Sequence, residues 1–483
     1  MDPEKAGAAE LSSEYIKVFL LMLLTTAATY GMRVIISRLG SEAYGEFYAF
    51  MSLAGIVGML SNPGISTAMV NAIASGRDRP KVFWTGLSMM LLLSIAVSAA
   101  AALSAGFASS ITNISAPLIM TLALVLPSSA VYSAAISAIQ GMNLPALSNM
   151  LSFVRVLLAL ALSWIAVQHG LGIQWVSIGY AIAALLPSML AIPVFIPGLS
   201  MPDTAEAKKL LSYGLPVFVS AASLSLFNNL DTVMISSFRG AVEASYYEIA
   251  MPFSTALKYV IYPLTAVLFP FISALWKSDR RKASEAASMS LKLAMLLVVP
   301  AAVVFSYPDI LIRLVFGIQY LPAAPAVRIL AASAVFWSLY SVLAVFVSAA
   351  GRPELATRAS LVAGGLNVLA DFFAIPLFGF VGSAVTTLLG GALAFLIILA
   401  SARKWIKIGL PDIVKAGIIG TAGALSIYAA RLLPFGMAVK LVASAIFFSL
   451  SVVATMKLLG YMSQNEKKHL SSVPLWRLVA WIF

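Results

Sequence analysis

The chain has 483 residues, of which 61% are hydrophobic and 10% are charged, and its formal net charge is +12. Soluble domains contain about 45–50% apolar and about 25% charged residues, so this composition excludes an ordinary soluble protein. Cysteine is absent, which excludes structural disulfides and thiol catalysis.

Apolar stretches long enough to cross about 30 Å of hydrocarbon recur from end to end, which predicts an all-α polytopic membrane protein. Fourteen transmembrane helices are predicted, at about residues 15–38, 44–75, 82–107, 117–139, 146–168, 171–196, 210–238, 243–275, 285–307, 323–348, 353–375, 379–400, 411–431 and 436–460. The terminal stretch "LSSVPLWRLVAWIF" is too short to span and is predicted to be an interfacial helix or an unstructured tail.

The distribution of lysine and arginine predicts the orientation in the membrane. If the N-terminus is cytoplasmic, the basic clusters at 77–81 and 280–282 lie on the inner side, and the outer loops hold few cations. This bias predicts a multi-pass protein of the cytoplasmic membrane with both termini in the cytoplasm. Contact with anionic lipid at the inner face then accounts for the net charge, without a nucleic-acid partner.

The two halves of the chain resemble each other at an offset of about 200 residues. "VIISRLGSEAYGEFYAF" returns as "VMISSFRGAVEASYYEIA", "RDRPK" as "SDRRK", and "SIGYAIAALLPSMLA" as "FVGSAVTTLLGGALA". Because six predicted spans separate the copies, both halves enter the membrane in the same sense. We therefore expect two parallel six-helix lobes, 1–200 and 201–402, in a V-shaped transporter with alternating access. Residues 403–483 add two helices and a cytoplasmic tail.

Four segments resemble the oligosaccharide flippases of the polysaccharide transporter family. They are "SRLGSEAYGEFYAF", "LPVFVSAASLSLFNNLDTVMIS", "LIRLVFGIQYLPAAPAVRIL" and "GLNVLADFFAIPLFGFVGSAVTTLLG". The superfamily of those flippases also contains multidrug and toxin extruders and lipid II flippases. The resemblance implies transport of a polyprenyl-(pyro)phosphate-linked oligosaccharide from the inner to the outer leaflet. It further implies a monomer that works beside glycan polymerase or glycosyltransferase machinery.

Three predicted spans each carry one cation within a polar stripe at helical spacing. The stripes combine Arg155 with Ser152, Arg33 with Tyr30, and Lys258 with Tyr262. A charge at the bilayer centre costs about 2.5–3.5 kcal/mol, so such side chains face the bundle interior or a wet path. A guanidinium matches phosphate oxygens and an ammonium adds a compact charge, so the three cations are predicted to bind the phosphates of the lipid. The alternative is that each cation pairs with a carboxylate or a helix carbonyl.

Two acidic residues are candidates for ion coupling. Asp231 follows Asn228 by three positions in the seventh span, and Asp371 follows Asn367 in the eleventh. These carboxylates are predicted either to bind a coupling proton or Na⁺, or to neutralise nearby arginines. The two asparagines are predicted to line the cavity together with Ser152, Tyr30 and Tyr262.

The eighth predicted span contains Pro252, Pro263 and Pro270, with Lys258 among them. Proline removes helix hydrogen bonds and favours kinks. This span is therefore the candidate bending element, with static curvature as the alternative.

The sequence contains no phosphate-binding glycine loop, metal-ligand cluster or catalytic triad that periodicity would bring together, which predicts a transporter and not an enzyme, without cofactors. Three alternatives remain open. A drug extruder would need a more apolar or acidic pocket than the cationic stripes indicate. A membrane glycan polymerase or transferase would need a large outer loop carrying carboxylates, which this sequence lacks. A non-transporting scaffold would not need buried charges.

Overall fold

The regular structure of the chain is helical, because backbone groups in hydrocarbon must form their hydrogen bonds within the segment itself. The computed structural model describes residues 3–195, 198–295, 297–404, 410–434 and 436–460, and this part of the chain contains no strand. The predicted terminal tail at 461–483 lies outside it. Two units, 1–248 and 249–483, divide the chain. Their boundary falls inside a helix, and the division into repeat lobes stays a prediction.

The first unit contains the first seven predicted spans. Its helices are α1 (Pro3–Ile36), α2 (Ser41–Gly58), α3 (Ile65–Ala74), α4 (Arg79–Leu103), α5 (Ala105–Thr112), α6 (Ala116–Met120), α7 (Leu122–Gly141), α8 (Pro145–Gln168), α9 (Ile173–Phe195) and α10 (Thr204–Arg239). Helix α11 (Ala241–Tyr259) begins in this unit and crosses its boundary. Helix α10 packs against α2, α3, α4 and α5, and α1 packs against α8.

The predicted second span, 44–75, is two helices and not one. Pro63 and Gly64 separate α2 from α3, and Gly64 has φ +74°. The backbone of Gly64 also touches that of Gly214 on α10: a Cβ on Gly64 would lie 2.8 Å from the Gly214 Cα and closer still to its carbonyl oxygen. Real Cβ atoms do not approach backbone so closely, so this crossing requires glycine on both sides.

The N-terminus of α10 is tied to the start of α4. Asp203 caps the helix by accepting hydrogen bonds from the amides of Ala205 at 2.7 Å and Glu206 at 3.2 Å. Its carboxylate also forms an ion pair with Lys81, and the Lys81 hydrogen bond lowers the pKa of Asp203 to about 2. Arg77 pairs with Glu206 at 3.1 Å. Two ion pairs thus fix this end of α10.

The second unit contains the remaining helices. They are α12 (Tyr262–Ser278), α13 (Arg280–Met295), α14 (Val298–Ser306), α15 (Pro308–Val315), α16 (Ala324–Ala349), α17 (Pro353–Ala402), α18 (Leu410–Arg431) and α19 (Met437–Leu458). Helix α16 packs against α12, α13, α14 and α17, and α14 packs against α18. The hydrophobic core of the second unit includes the buried residues Leu343, Phe346 and Ile398.

The eleventh and twelfth predicted spans form the two arms of α17. The backbone leaves helical geometry at Gly379, with φ 60° and ψ −146°. A Cβ on Gly382 would lie 2.9 Å from the Ala374 carbonyl carbon, so the arms meet closely at this turn. Further along, Thr386 donates a hydrogen bond to Asp371 across the two arms. The predicted boundary at 375–379 is therefore confirmed as a sharp reversal.

Nine helical segments of the described residues are long and apolar enough to cross a membrane. Helices also occupy the predicted spans outside this set, namely α10, α11 with α12, α18 and α19. Helix α10 is more polar, and the eighth span is interrupted between α11 and α12. Large apolar side chains such as Leu92, Phe373 and Leu389 are exposed along the helices, as expected where helices face lipid. The chain is a polytopic membrane protein; the count of fourteen spans stays a prediction.

Candidate substrate site

Arg155 lies near the middle of α8, where the apolar run predicts a membrane-embedded position. Its guanidinium carbon is 4.5 Å from the centre of the Tyr132 ring on α7. The Tyr132 hydroxyl is 2.8 Å from the Ser152 Oγ, one helical turn before Arg155. No carboxylate among the described residues forms an ion pair with Arg155. The guanidinium therefore has an aromatic ring on one side and no paired carboxylate among the described residues.

Arg33, at the end of α1, is paired with an acid. Its Nη1 donates to the Glu248 Oε2 and to the Glu248 carbonyl, both at 3.0 Å, and the guanidinium lies 4.3 Å from the centre of the Tyr48 ring. Thr232 donates to the other carboxylate oxygen of Glu248 at 2.6 Å. This arrangement matches the alternative given for Arg33, in which a carboxylate makes the charge tolerable. A phosphate could therefore bind Arg33 only by sharing its guanidinium with Glu248.

Asp231 is buried beside this network. The Tyr247 hydroxyl donates to its Oδ2 at 2.8 Å, and the neighbouring residues Thr232 and Glu248 make the second hydrogen bond between α10 and α11. Two neighbouring hydrogen bonds between α10 and α11 thus link Asp231, the candidate coupling carboxylate, to Glu248, the partner of Arg33. The side chain of Asn228 lies outside the described residues.

Lys258 occupies the last turn of α11, where the eighth span is interrupted. The helix ends at Tyr259 and α12 begins at Tyr262, because Pro263 cannot donate the hydrogen bond that would continue the helix. Within the part of the chain that the structure describes, Lys258 has no ion pair. Tyr262 is exposed, and its ring packs edge-on against Tyr259 at 5.3 Å. A cation next to an exposed aromatic pair therefore marks the break.

Asp371 is fully buried between the arms of α17, where it accepts a hydrogen bond from Thr386. Asn367 lies one turn before it and faces Gly390 of the other arm. The Asn367 Nδ2 is buried without a hydrogen-bond partner among the described residues. Two polar side chains inside the hairpin, Thr386 and Asn367, thus accompany the second candidate coupling carboxylate.

The structure joins Arg155 to Ser152 through Tyr132, and it places Arg33 close to Asp231 through Glu248 and α11. Lys258, Tyr262, Asp371 and Asn367 belong to the second unit, so a joint phosphate site of all three cations stays a prediction. A separate cavity of about 430 Å³ in the first unit has small polar lining residues, Asn62, Ser129, Ser133 and Ser225 among them. Ser152 and Tyr30 are not among its lining residues.

The aromatic partners of the cations are not evident from the sequence. Tyr132 and Tyr48 lie on helices other than those that carry Arg155 and Arg33, so periodicity along one helix cannot associate them. Glu248 and Glu46 occupy near-equivalent positions in the two repeated segments of the sequence, which predicts only a shared structural role. No sequence signal marks the pairing of Glu248 with Arg33, although the two residues lie near the repeated glycines Gly40 and Gly240, which share one backbone conformation.

Replacing Glu248 with glutamine is expected to lower the free energy of unfolding by about 2 kcal/mol, since it leaves Arg33 without its counter-charge. Breaking a fully buried pair costs about 3–5 kcal/mol, and the Arg33 side chain is 22% exposed. The control is Glu285→Gln, which removes an exposed pair with Arg281 and is expected to change stability by about 0.5 kcal/mol or less. Thermal unfolding in detergent measures both, and equal shifts would contradict the assigned role of Glu248.

Comparison with known proteins identifies the family. The family described as "Polysaccharide biosynthesis protein" matches residues 15–276, more than half of the chain. The chain belongs to this family. A second family, described as "MatE", matches residues 216–373. These matches confirm the resemblance to the flippases and extruders of one superfamily.

Two curated relatives and one solved structure are similar to the chain. An uncharacterized membrane protein of Methanocaldococcus jannaschii is 32% identical over 186 residues, which are 38% of this chain and 37% of that protein. The probable low-salt glycan biosynthesis flippase Agl15 of Haloferax volcanii is 27% identical over 197 residues, 40% of this chain and 42% of that protein. The matched part of the chain thus spans less than half the length of these relatives.

The fold is similar to that of the lipid II flippase MurJ in its inward closed conformation. The TM-score is 0.77 at 13% sequence identity, and the match covers 92% of this chain and 99% of that chain. At this low sequence identity, the match shows that the two proteins share a fold.

Proposed function

We propose that the protein moves a polyprenyl-(pyro)phosphate-linked oligosaccharide from the inner to the outer leaflet of the cytoplasmic membrane. The observation that carries this proposal is Arg155, a guanidinium in the middle of a spanning helix that no described carboxylate neutralises. A charge in this position is costly unless it meets an anion or water. The family assignment and the printed name of the Agl15 relative support a glycan-linked substrate.

In this proposal Arg155 and Lys258 bind the phosphates, and Arg33 contributes when Glu248 releases it. The sugars occupy an aqueous space between the lobes 1–200 and 201–402. The two lobes open this space to each side of the membrane in turn. Residues 403–483 add two further helices and the tail. The polar side chains proposed to line the route are Ser152, Tyr30, Asn228, Tyr262 and Asn367. Both termini are proposed to lie in the cytoplasm. The protein would act as a monomer that receives its substrate from glycosyltransferases or delivers it to a glycan polymerase.

Reconstitution tests the function directly. The purified full chain in liposomes is expected to expose a fluorescent lipid-linked oligosaccharide to an added quencher faster than protein-free liposomes do. A multidrug extruder, which the "MatE" match keeps as the second candidate, would instead accumulate a fluorescent organic cation. Cation transport without glycolipid flipping would overturn the proposal.

Coupling to an ion gradient is proposed to require Asp371. Its position in the α17 hairpin supports this role, because the carboxylate is fully buried and accepts a hydrogen bond from Thr386. Asp371→Asn is expected to abolish the acceleration of flipping by an imposed proton or Na⁺ gradient, because an amide neither binds a proton nor carries the charge that attracts a cation. The control, Glu354→Gln, changes an exposed acid on the same helix. Gradient-driven flipping that survives in Asp371→Asn would transfer the coupling role to Asp231 alone.

A further inference from the structure

A cationic pocket lies at the ends of three helices of the second unit. It has a volume of about 450 Å³, and its lining residues are Phe305, Ser306, Arg328, Tyr428, Arg431 and Leu432. Ser306 ends α14, Arg328 lies near the start of α16, and Arg431 ends α18. The ends of membrane-spanning helices lie near the lipid headgroups. The pocket is therefore placed at the membrane interface.

Two arginines of this pocket share one carboxylate. Arg431 Nη2 lies 3.2 Å from both carboxylate oxygens of Asp309, and Arg328 Nη2 lies 3.8 Å from Asp309 Oδ1. Arg431 Nη1 also donates to the Ser306 carbonyl. One carboxylate between two guanidiniums leaves a single excess positive charge. This charge complements one monoanionic group.

Ser306 supplies an independent indication of a ligand. The residue is buried, at 2% exposure, and its Oγ has no hydrogen-bond partner among the described residues. Buried hydroxyls in proteins are normally hydrogen-bonded. A hydroxyl donor beside an excess positive charge fits an oxygen of a phosphate, which accepts hydrogen bonds from both kinds of group.

The surroundings of the pocket are apolar and exposed. Helix α15 buries Ile312 and exposes Leu314 by 78%, and Leu432 is 69% exposed. A short helix with one apolar exposed side is typical of the membrane interface, as is an exposed tyrosine such as Tyr428. These surfaces favour a ligand that arrives from the membrane over one that arrives from water.

The pocket adjoins space for a hydrocarbon chain. Phe305 also lines an apolar groove of about 390 Å³ formed by residues of α13, α14, α16, α17 and α18, which include Val298, Phe336 and Gly420. One side chain thus borders both the cationic pocket and the apolar groove. A ligand with a charged head and an apolar tail matches this pair of surfaces.

We propose that Arg328, Arg431 and Ser306 bind the phosphodiester headgroup of an anionic membrane lipid, whose hydrocarbon chain lies in the groove beyond Phe305. The single excess charge matches a phosphodiester better than it matches the larger charge of a pyrophosphate. The site uses none of the residues assigned to the glycan carrier. The inference is therefore independent of the proposed function.

Native mass spectrometry of the purified full chain tests this inference, with phosphatidylglycerol as the probe. Arg328→Gln is expected to weaken phosphatidylglycerol binding about tenfold, as for the loss of one charge-assisted hydrogen bond, and Ser306→Ala about threefold. Arg328 is preferred to Arg431, because Arg431 lies closer to Asp309 and also donates to the Ser306 carbonyl at the end of α14. The control is Arg313→Gln, which removes an exposed arginine of α15 that does not line the pocket. It should bind the lipid as the unmodified protein does.

Two further measurements decide the source of the phosphate. Diacylglycerol with the same chains is expected to bind at least about tenfold more weakly, since it lacks the phosphate. Millimolar inorganic phosphate is expected not to displace phosphatidylglycerol. Unchanged lipid binding in a folded Arg328→Gln protein, equal binding of diacylglycerol, or full displacement by inorganic phosphate would each overturn the inference.

Discussion

Glutamine in place of Arg155 is expected to slow the flipping of a lipid-linked oligosaccharide by about tenfold or more, because a charge-assisted hydrogen bond contributes about 1.5–3 kcal/mol. The same change is expected to leave stability equal or higher. It removes a charge whose cost in the membrane is about 2.5–3.5 kcal/mol, and it loses an aromatic contact with Tyr132 of about 0.5–2 kcal/mol. Flipping in liposomes and thermal unfolding measure the two effects.

Two variants separate charge from geometry at this position. Arg155→Lys keeps the charge but loses the planar fork, so it is expected to flip at an intermediate rate. Arg239→Gln removes an arginine that is paired with Glu243 at the end of α10 and is expected to flip at the normal rate. A large loss of stability in Arg155→Gln, with normal flipping by the protein that remains folded, would show that Arg155 is structural.

Alanine in place of Gly64 is expected to destabilise the protein by about 3 kcal/mol or more, among the largest effects of a single substitution. The new Cβ would meet the backbone of Gly214, which cannot move away without shifting α10. The left-handed backbone at φ +74° adds strain of about 1 kcal/mol for a residue with a side chain. Thermal unfolding in detergent measures the loss.

Two other glycines separate the crowding from the strain. Gly76 also has a left-handed φ of +83°, but a Cβ added there would have no atom within 4 Å, so Gly76→Ala is expected to show only the strain. Gly106, within α5, has neither constraint, and alanine there is expected to be neutral or to stabilise by about 0.5–1 kcal/mol. If Gly64→Ala and Gly76→Ala were equally stable, the close crossing of α3 and α10 would be unimportant.

Local sequence signals predict the helices well and their partners poorly. Apolar length and turn residues locate the boundaries of α8 and of the α17 hairpin to within a few residues, because these signals are local. Pro63 does not by itself predict a break, since proline inside a membrane helix commonly produces only a kink. The missing information is the close backbone contact at Gly64, which depends on α10, about 150 residues later.

The candidate site shows the same division. Residue type and helical spacing select Arg155, Arg33, Lys258, Asp231 and Asp371 as the charges that a membrane protein must accommodate. Whether a charge is neutralised depends on contacts between helices, and the outcome differs between Arg33, which has Glu248, and Arg155, which has Tyr132. A single sequence does not record such pairings, because the partners are distant along the chain.

The paired hydrogen bonds between α10 and α11 carry a thermodynamic consequence. Tyr247 and Glu248 are consecutive, as are Asp231 and Thr232. If Asp231 bound a cation or proton, that ion would compete with the Tyr247 hydroxyl, next to the carboxylate that holds Arg33. If ion binding at Asp231 changes the affinity of Arg33 for an anion, then anion binding at Arg33 must change the ion affinity of Asp231 by the same factor. At equilibrium, this coupling would be detected as an ion affinity that changes when the substrate binds.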